Sequence, residues 1–303
     1  MPTASAATLS ALRADLQQTL ATMPPSAIEG VSRDERHIPG PSGAPAVRVL
    51  FYTPDNARAL APAYLDLPGG GYIMLAPEFN IAINSQLARD LGCIVVSIDY
   101  RVGPEPPFPG AVEDAYAALT WLHTNADALG VDSSRIAIGG ESAGGGLAAA
   151  LGLLAQDRGE VPIAFQSLVY PMLDDRVGTT SEPHPYAGEF IWTAESNRFG
   201  WECLLGSAPG GTDVSCYAAA ARAKDLAGSP PTFIAVGALD LFVEENVEYA
   251  TRLIRAGVPT ELHVYPGAYH AMNFLAADAR VTKSLERDNR NAMQRAFNKA
   301  IER

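Results

Sequence analysis

Residues 134–155 read SRIAIGGESAGGGLAAALGLLA. The first part, RIAIGG, is a short apolar run of the kind that forms a strand buried on both faces. The second part reads as a helix over 143–155. Between them lies Gly140-Glu141-Ser142-Ala143-Gly144, a GxSxG pattern. In a chain rich in glycine and alanine the pattern alone says little. Its place on a strand-to-helix turn gives it meaning. A serine at the apex of so tight a turn adopts strained backbone angles and tolerates only small neighbours, and Gly140 and Gly144 supply that room.

The same rhythm recurs outward from this turn. AYLDLP, GCIVVSIDY, FQSLVYPM, PTFIAVGALD and ELHVYPG are short apolar strands. Helices are predicted over 81–91, 112–126, 244–256 and 284–301. This alternation argues for an α/β fold, a mostly parallel sheet flanked by helices. Leu9, Leu12, Leu16 and Leu20 predict an amphipathic helix over 8–19, ended by Met23-Pro24-Pro25. Residues 35–52 read as extended around a turn at 39–45. The stretch 174–219, with Trp192, Phe199, Trp201 and Tyr217 among small and polar residues, breaks the rhythm. Long insertions in such folds sit over the C-terminal edge of the sheet. The expected division is an N-terminal cap segment (1–45), a core (46–175), a cap insertion (176–219) and the rest of the core (220–303).

Composition narrows the class. The chain has 303 residues, 48% hydrophobic and 18% charged, which excludes a disordered polymer. A net charge of −12 with no basic block argues against nucleic acid or an anionic membrane as partner. Cys93, Cys203 and Cys216 show no metal-ligand spacing and read as reduced thiols. Neither a metal nor a cofactor is expected. The N-terminal stretch lacks the basic and apolar regions of a signal peptide, and the longest soft run, 142–155, is too short to span a bilayer, so the expected location is cytoplasmic.

A serine hydroxyl needs a base. Of the five histidines, His270 lies just after the strand ELHVY and the turn Pro266-Gly267, at the sheet edge where α/β sites are built. His263 alternates within a strand, His123 lies in a helix, His184 in the insertion, and His37 precedes the core. The base needs an orienting carboxylate. Asp240 ends the strand TFIAVGALD, whereas its competitors Glu244 and Glu245 lie a helical turn further on. The order Ser142, Asp240, His270 follows. An acyl transfer also needs donors for an oxyanion. Gly69-Gly70-Gly71 after AYLDLP is, read alone, equally a flexible turn or such a donor loop. A phosphate cradle is disfavoured because no GK[ST] follows.

With these residues in place, the chain resembles the hormone-sensitive-lipase-like branch of α/β-hydrolase carboxylesterases. The likeness runs from about residue 47 to 274 and rests on PGGGY, DYRVGPEPPFPGAVEDAY, GESAGGGL, YPMLDDR, GALDLF and YPGAYH in that order. It implies an α/β-hydrolase fold with a helical cap and a Ser142/Asp240/His270 triad. It implies an oxyanion hole from the backbone N–H groups of Gly70, Gly71 and Ala143, with Gly69 in the same loop. Two departures stand out. Pro68 replaces the histidine that supports the loop by hydrogen bonding in the family, and Ala271-Met272 replaces Gly-Phe. The implied activity is hydrolysis of short-chain or aryl esters through an acyl-enzyme. An amidase or peptidase on the same fold, and a non-catalytic small-molecule receptor, are the alternatives. Receptors of that kind lose the base, and His270 is present. Tyr72, Glu141, Trp192, Phe199 and Trp201 are candidate pocket residues, and for the aromatics packing of cap against core is the competing reading. The resemblance also implies a homodimer through the last strand and helix.

Overall fold

Why the chain forms a sheet covered on both faces follows from its strands. β3 (Ala61–Leu67), β4 (Ile94–Asp99), β6 (Phe165–Val169) and β7 (Thr232–Gly237) are buried along nearly their whole length, and β5 (Val131–Glu141) is buried from Ile136 to Gly140. Apolar side chains alternate between faces, and each face needs a cover. In the computed structural model, which describes residues 3–23, 28–179 and 183–299, β1 (Val31–Ile38), β2 (Val47–Pro54) and β8 (Thr260–Tyr265) complete an eight-stranded sheet. The strand order is β1-β2-β4-β3-β5-β6-β7-β8. From β4 to β8 every pairing is parallel, while β1–β2 and β2–β4 are antiparallel.

The helices in chain order are α1 (Leu9–Thr22), α2 (Ile81–Leu91), α3 (Gly110–Thr124), α4 (Ala126–Leu129), α5 (Ala143–Arg158), α6 (Ala194–Leu205), α7 (Val243–Arg255), α8 (Met272–Leu275) and α9 (Arg280–Lys299). Leu65, Val96, Ile138 and Ile234 face a core shared with α3, α5 and α7. Tyr64, Val95, Ala137 and Phe233 face the other, closed by Leu285, Met293 and Phe297 of α9. All of α5 from Ala143 to Ala155 is buried, so it carries no amphipathic signature.

Register brings the site together. Leu67 pairs with Gly140, Gly140 with Leu168, and Gly237 with Tyr265. The chain therefore leaves β3, β5, β6, β7 and β8 along one edge, where the glycine loop, Ser142, Asp240 and His270 follow.

Several boundaries differ from the sequence reading. The first helix runs to Thr22; Pro24 and Pro25, read as its end, lie outside the described residues, as does the end of the last helix beyond 299. The helix over 112–126 ends at Thr124, and α4 follows after Asn125. Residues 31–38, assigned to the N-terminal cap segment, form the outermost strand of the sheet. VSRDERHI is polar on both faces, so period-two alternation could not expose it. In the insertion, α6 is capped by the Thr193 hydroxyl, which accepts from Ser196 N–H, and by Gly206 in the left-handed region (φ 69°). It packs on the 100–110 segment, where Phe108 N–H donates to Leu204 C=O at 2.6 Å. The segment leading into α1 joins it through Ala4 N–H, which donates to Ser196 Oγ (3.1 Å). Cys93 and Cys203 are buried, and Cys216, in the insertion, is half-buried. Among the described residues no helix is long and apolar enough to cross a membrane.

Candidate active site

Ser142 sits between the end of β5 and the start of α5 with φ 55° and ψ −123°, a conformation rarely adopted outside glycine. Three backbone bonds hold it. Its N–H donates to Val169 C=O (3.0 Å), and its carbonyl accepts from Met172 N–H (2.9 Å) and Gly146 N–H (3.0 Å). A Cβ on Gly144 would collide with the Leu67 carbonyl, so the turn requires a glycine there. Ala143 opens α5, where the first N–H groups have no intrahelical acceptor and the helix dipole is positive.

His270 and Asp240 reach this serine from two neighbouring loops. His270 Nε2 lies 2.9 Å from Ser142 Oγ, and Nδ1 lies 2.8 Å from Asp240 Oδ2. All three side chains are buried. Asp240 Oδ1 accepts the Phe242 N–H at 3.0 Å, which fixes the carboxylate. The edges of Tyr170 and Phe242 meet the imidazole, with centroids 4.8 and 5.2 Å away. Glu244 is exposed, and buried Glu245 is occupied elsewhere, accepting from Leu173 and Asp174 N–H groups at 3.1 and 3.0 Å. Burial holds the Glu245 carboxyl well above its ordinary range. His263 is engaged with Glu261 at 2.8 Å, and His184 Nδ1 accepts the Tyr186 N–H.

The glycine loop lies against the serine. A Cβ on Gly69 would stand 3.4 Å from Ser142 Cβ. Gly70 C=O accepts from Ile73 and Met74 N–H groups at 3.2 and 3.0 Å. In a trans peptide the N–H opposes the carbonyl, so Gly71 N–H points away from that turn. Gly71 (φ 63°) lies directly under the indole of Trp192, which any Cβ there would strike. The same indole is 6.5 Å from the His270 ring, and its Nε1–H donates to Asn197 Oδ1 at 3.1 Å. Trp192 thus stands between the histidine and the glycine loop. Phe199 is half-buried against the core cluster. Tyr72 and Trp201 take the packing role instead: both are buried, their centroids 5.4 Å apart.

Glu141 turns toward a polar cluster that the sequence reading missed. Its Oε2 accepts from Asn80 Nδ2 at 3.1 Å. Asn80 also approaches Asp66, which accepts from Ser97 Oγ (2.6 Å) and Asn84 Nδ2 (2.7 Å). Burial, and after it the charge of Asp66, push the Glu141 carboxyl up to about 8. Burial raises Asp66 as well, against the three amide and hydroxyl donors. The available signal was Asp66 itself, a charged residue inside an otherwise apolar strand. Among the described residues no group of three or more His, Cys, Asp or Glu side chains could hold a metal.

Comparison with known proteins adds four findings. A family profile described as alpha/beta hydrolase fold matches residues 64–274. The chain is 36% identical over 230 residues to Esterase LipI of Mycobacterium tuberculosis, covering 75% of this chain and 70% of that protein. It is 33% identical over 260 residues to Carboxylesterase NlhH of the same species, covering 83% and 79%. Among solved structures, one titled Bacterial Heroin Esterase superposes with a TM-score of 0.91 at 40% identity, covering 98% of this chain and 94% of that one.

Proposed function

The chain belongs to the alpha/beta hydrolase fold family, as an ester hydrolase of its hormone-sensitive-lipase-like branch, and from that premise we propose that it is a serine carboxylesterase with a Ser142/Asp240/His270 triad. The observation that carries this is one imidazole placed 2.9 Å from a serine hydroxyl and 2.8 Å from a buried aspartate. Asp240 holds the ring with Nε2 toward the serine and stabilises the imidazolium that forms.

Each step uses groups already described. His270 Nε2 takes the Ser142 proton as Oγ bonds to the ester carbonyl carbon. The carbonyl π electrons move to oxygen, and N–H groups of Gly70, Gly71 and Ala143 receive that oxyanion. When the tetrahedral species collapses, the carbon–alkoxy bond breaks and His270 gives its proton to the departing alcohol. Water, deprotonated by His270, then attacks the acyl carbon; the acid leaves and Ser142 Oγ recovers its proton.

The substrate class is a small ester of a short acyl group with an aliphatic or aryl alcohol. Trp192, wedged between Gly71 and His270, supports a short acyl group by crowding the space beside Ser142. α1 and the 176–219 insertion act as the cap, a reading supported by the packing of α6 on the glycine loop and by the Ala4–Ser196 bond. A homodimer along β8 is supported by its free edge and by exposed Val264, and light scattering checks it.

A fluorophosphonate should label Ser142 in the wild-type protein. Ser142→Ala should abolish labelling and cut turnover of p-nitrophenyl acetate by about 10³-fold or more. Near wild-type turnover in that variant overturns the assignment. Paired ester and amide substrates of the same shape should show hydrolysis of the ester alone.

A further inference from the structure

A proline at the head of the glycine loop poses a mechanical problem. Pro68 has no N–H and no side-chain hydrogen bond to offer, so the loop must be held through its carbonyls. Three such bonds exist. Pro68 C=O accepts from the buried Tyr100 hydroxyl at 2.6 Å. Tyr72 C=O accepts from Gly103 N–H at 2.8 Å. Ile73 C=O accepts from Arg13 Nε at 2.9 Å. Arg13 also grips the opposite side of Gly103, through Nη2 on its carbonyl at 2.7 Å. One guanidinium on α1 thus bonds the loop directly and braces the residue that bonds it a second time.

We propose that Arg13 is a positioning residue for the oxyanion loop, which makes the N-terminal helix part of the hydrolytic apparatus. This rests on the reading above that the Gly70 and Gly71 amides receive the oxyanion. The connection is short. Ile73 N–H and Met74 N–H both donate to Gly70 C=O, so the place of Ile73 sets the tilt of the Gly70–Gly71 peptide. The planar fork of arginine suits two carbonyls held at a fixed separation, and a lysine ammonium does not reproduce it. The third nitrogen, Nη1, pairs with exposed Glu105 at 3.0 Å. An exposed pair of that kind contributes little, so the carbonyl bonds are the functional ones.

The test uses the full chain and four proteins: wild type, Arg13→Ala, Arg13→Lys and Glu105→Gln. Arg13→Ala should lower kcat for p-nitrophenyl acetate about 10-fold or more with KM held within about twofold. The rate of fluorophosphonate labelling at Ser142 should fall by a similar factor, while the pH midpoint of the activity stays in place because the His270–Asp240 pair is untouched. Arg13→Lys should recover part of the loss. Glu105→Gln should keep wild-type kcat. The proposal is overturned by wild-type kcat in a folded Arg13→Ala, by a loss confined to KM, or by an equal loss in Glu105→Gln. Should Arg13→Ala fail to fold, Arg13→Lys decides: reduced kcat at unchanged KM supports the proposal, and wild-type kcat ends it. Failure of the serine-hydrolase reading beneath it looks different, since wild-type Ser142 would then go unlabelled, and failure of the Gly70 and Gly71 assignment would show as wild-type kcat in Gly71→Ala.

Discussion

The turn at 140–146 and the loop at 69–73 are both glycine-rich and both meet at Ser142, but they are fixed by different means. The turn is held by its own neighbours in the sheet: Val169 and Met172 bond Ser142, and the Leu67 carbonyl fills the space where Gly144 would carry a Cβ. The loop is held from outside, by Tyr100, Gly103 and Arg13, and by Trp192 and Gly200 packed on Gly71. Ser142 and Ala143 are thereby as rigid as the sheet, whereas the proposed donors Gly70 and Gly71 are held in part by the proposed cap, through Arg13 of α1 and through Trp192 and Gly200 of the insertion. A change in the cap should reach the rate through the loop and leave the serine's geometry intact.

That contrast can be broken at either side. Gly144→Ala should do most damage, because the obstacle is backbone in the sheet and cannot swing aside. A loss of about 3 kcal/mol in stability is expected, measured as a fall in denaturation midpoint, with activity lost alongside. Gly71→Ala meets a side chain instead. It should fold but lose about 10²-fold in kcat through a displaced loop, and Trp192→Ala in the same chain should restore part of that. Equal destabilisation in both glycine variants would erase the distinction.

Glu141→Gln sharpens the contrast from beneath the turn. The folded protein holds the Glu141 carboxyl near 8, above its ordinary value of 4.5. The folded state therefore keeps a proton that the unfolded chain has released. Stability from this group is present below about pH 4.5 and is lost as pH rises toward 8. Thermal midpoints of wild type should decline across that interval, and Glu141→Gln should flatten the decline. A slope unchanged by the substitution would remove Glu141 as its source. The smallest effect belongs to Pro68→His, which should change kcat by less than about tenfold because the carbonyl bonds remain.

How far the sequence speaks follows from the range of each interaction. That Ser142, Asp240 and His270 would meet was legible because each follows the end of an apolar strand, and strand ends share an edge whatever the details of packing. Glu244 and Glu245 were separable from Asp240 only by position; the bonds that occupy Glu245 appear in the structure alone. Arg13 could not be read, because it serves residues 60 and 90 positions away. The Asp66–Glu141 cluster joins three strands and a helix, and no local pattern encodes it. The first half of β1 was hidden by its own polarity, although residues 35–38 read as extended, and Trp201 was hidden by the ambiguity of any aromatic in an insertion: pocket wall and packing wedge look alike until burial is known.

The three thiols have a practical consequence. Burial pushes Cys93 up to about 12 and Cys203 up to about 11, so neither offers a thiolate at neutral pH, and both are shielded from reagents. Burial, and after it the charge of Asp157, raise the Cys216 thiol as well, but Cys216, half-buried in the insertion, is the most accessible of the three to a maleimide fluorophore. A dye placed there would report the surroundings of the 176–219 insertion in solution, in the unmodified sequence and with no engineered site.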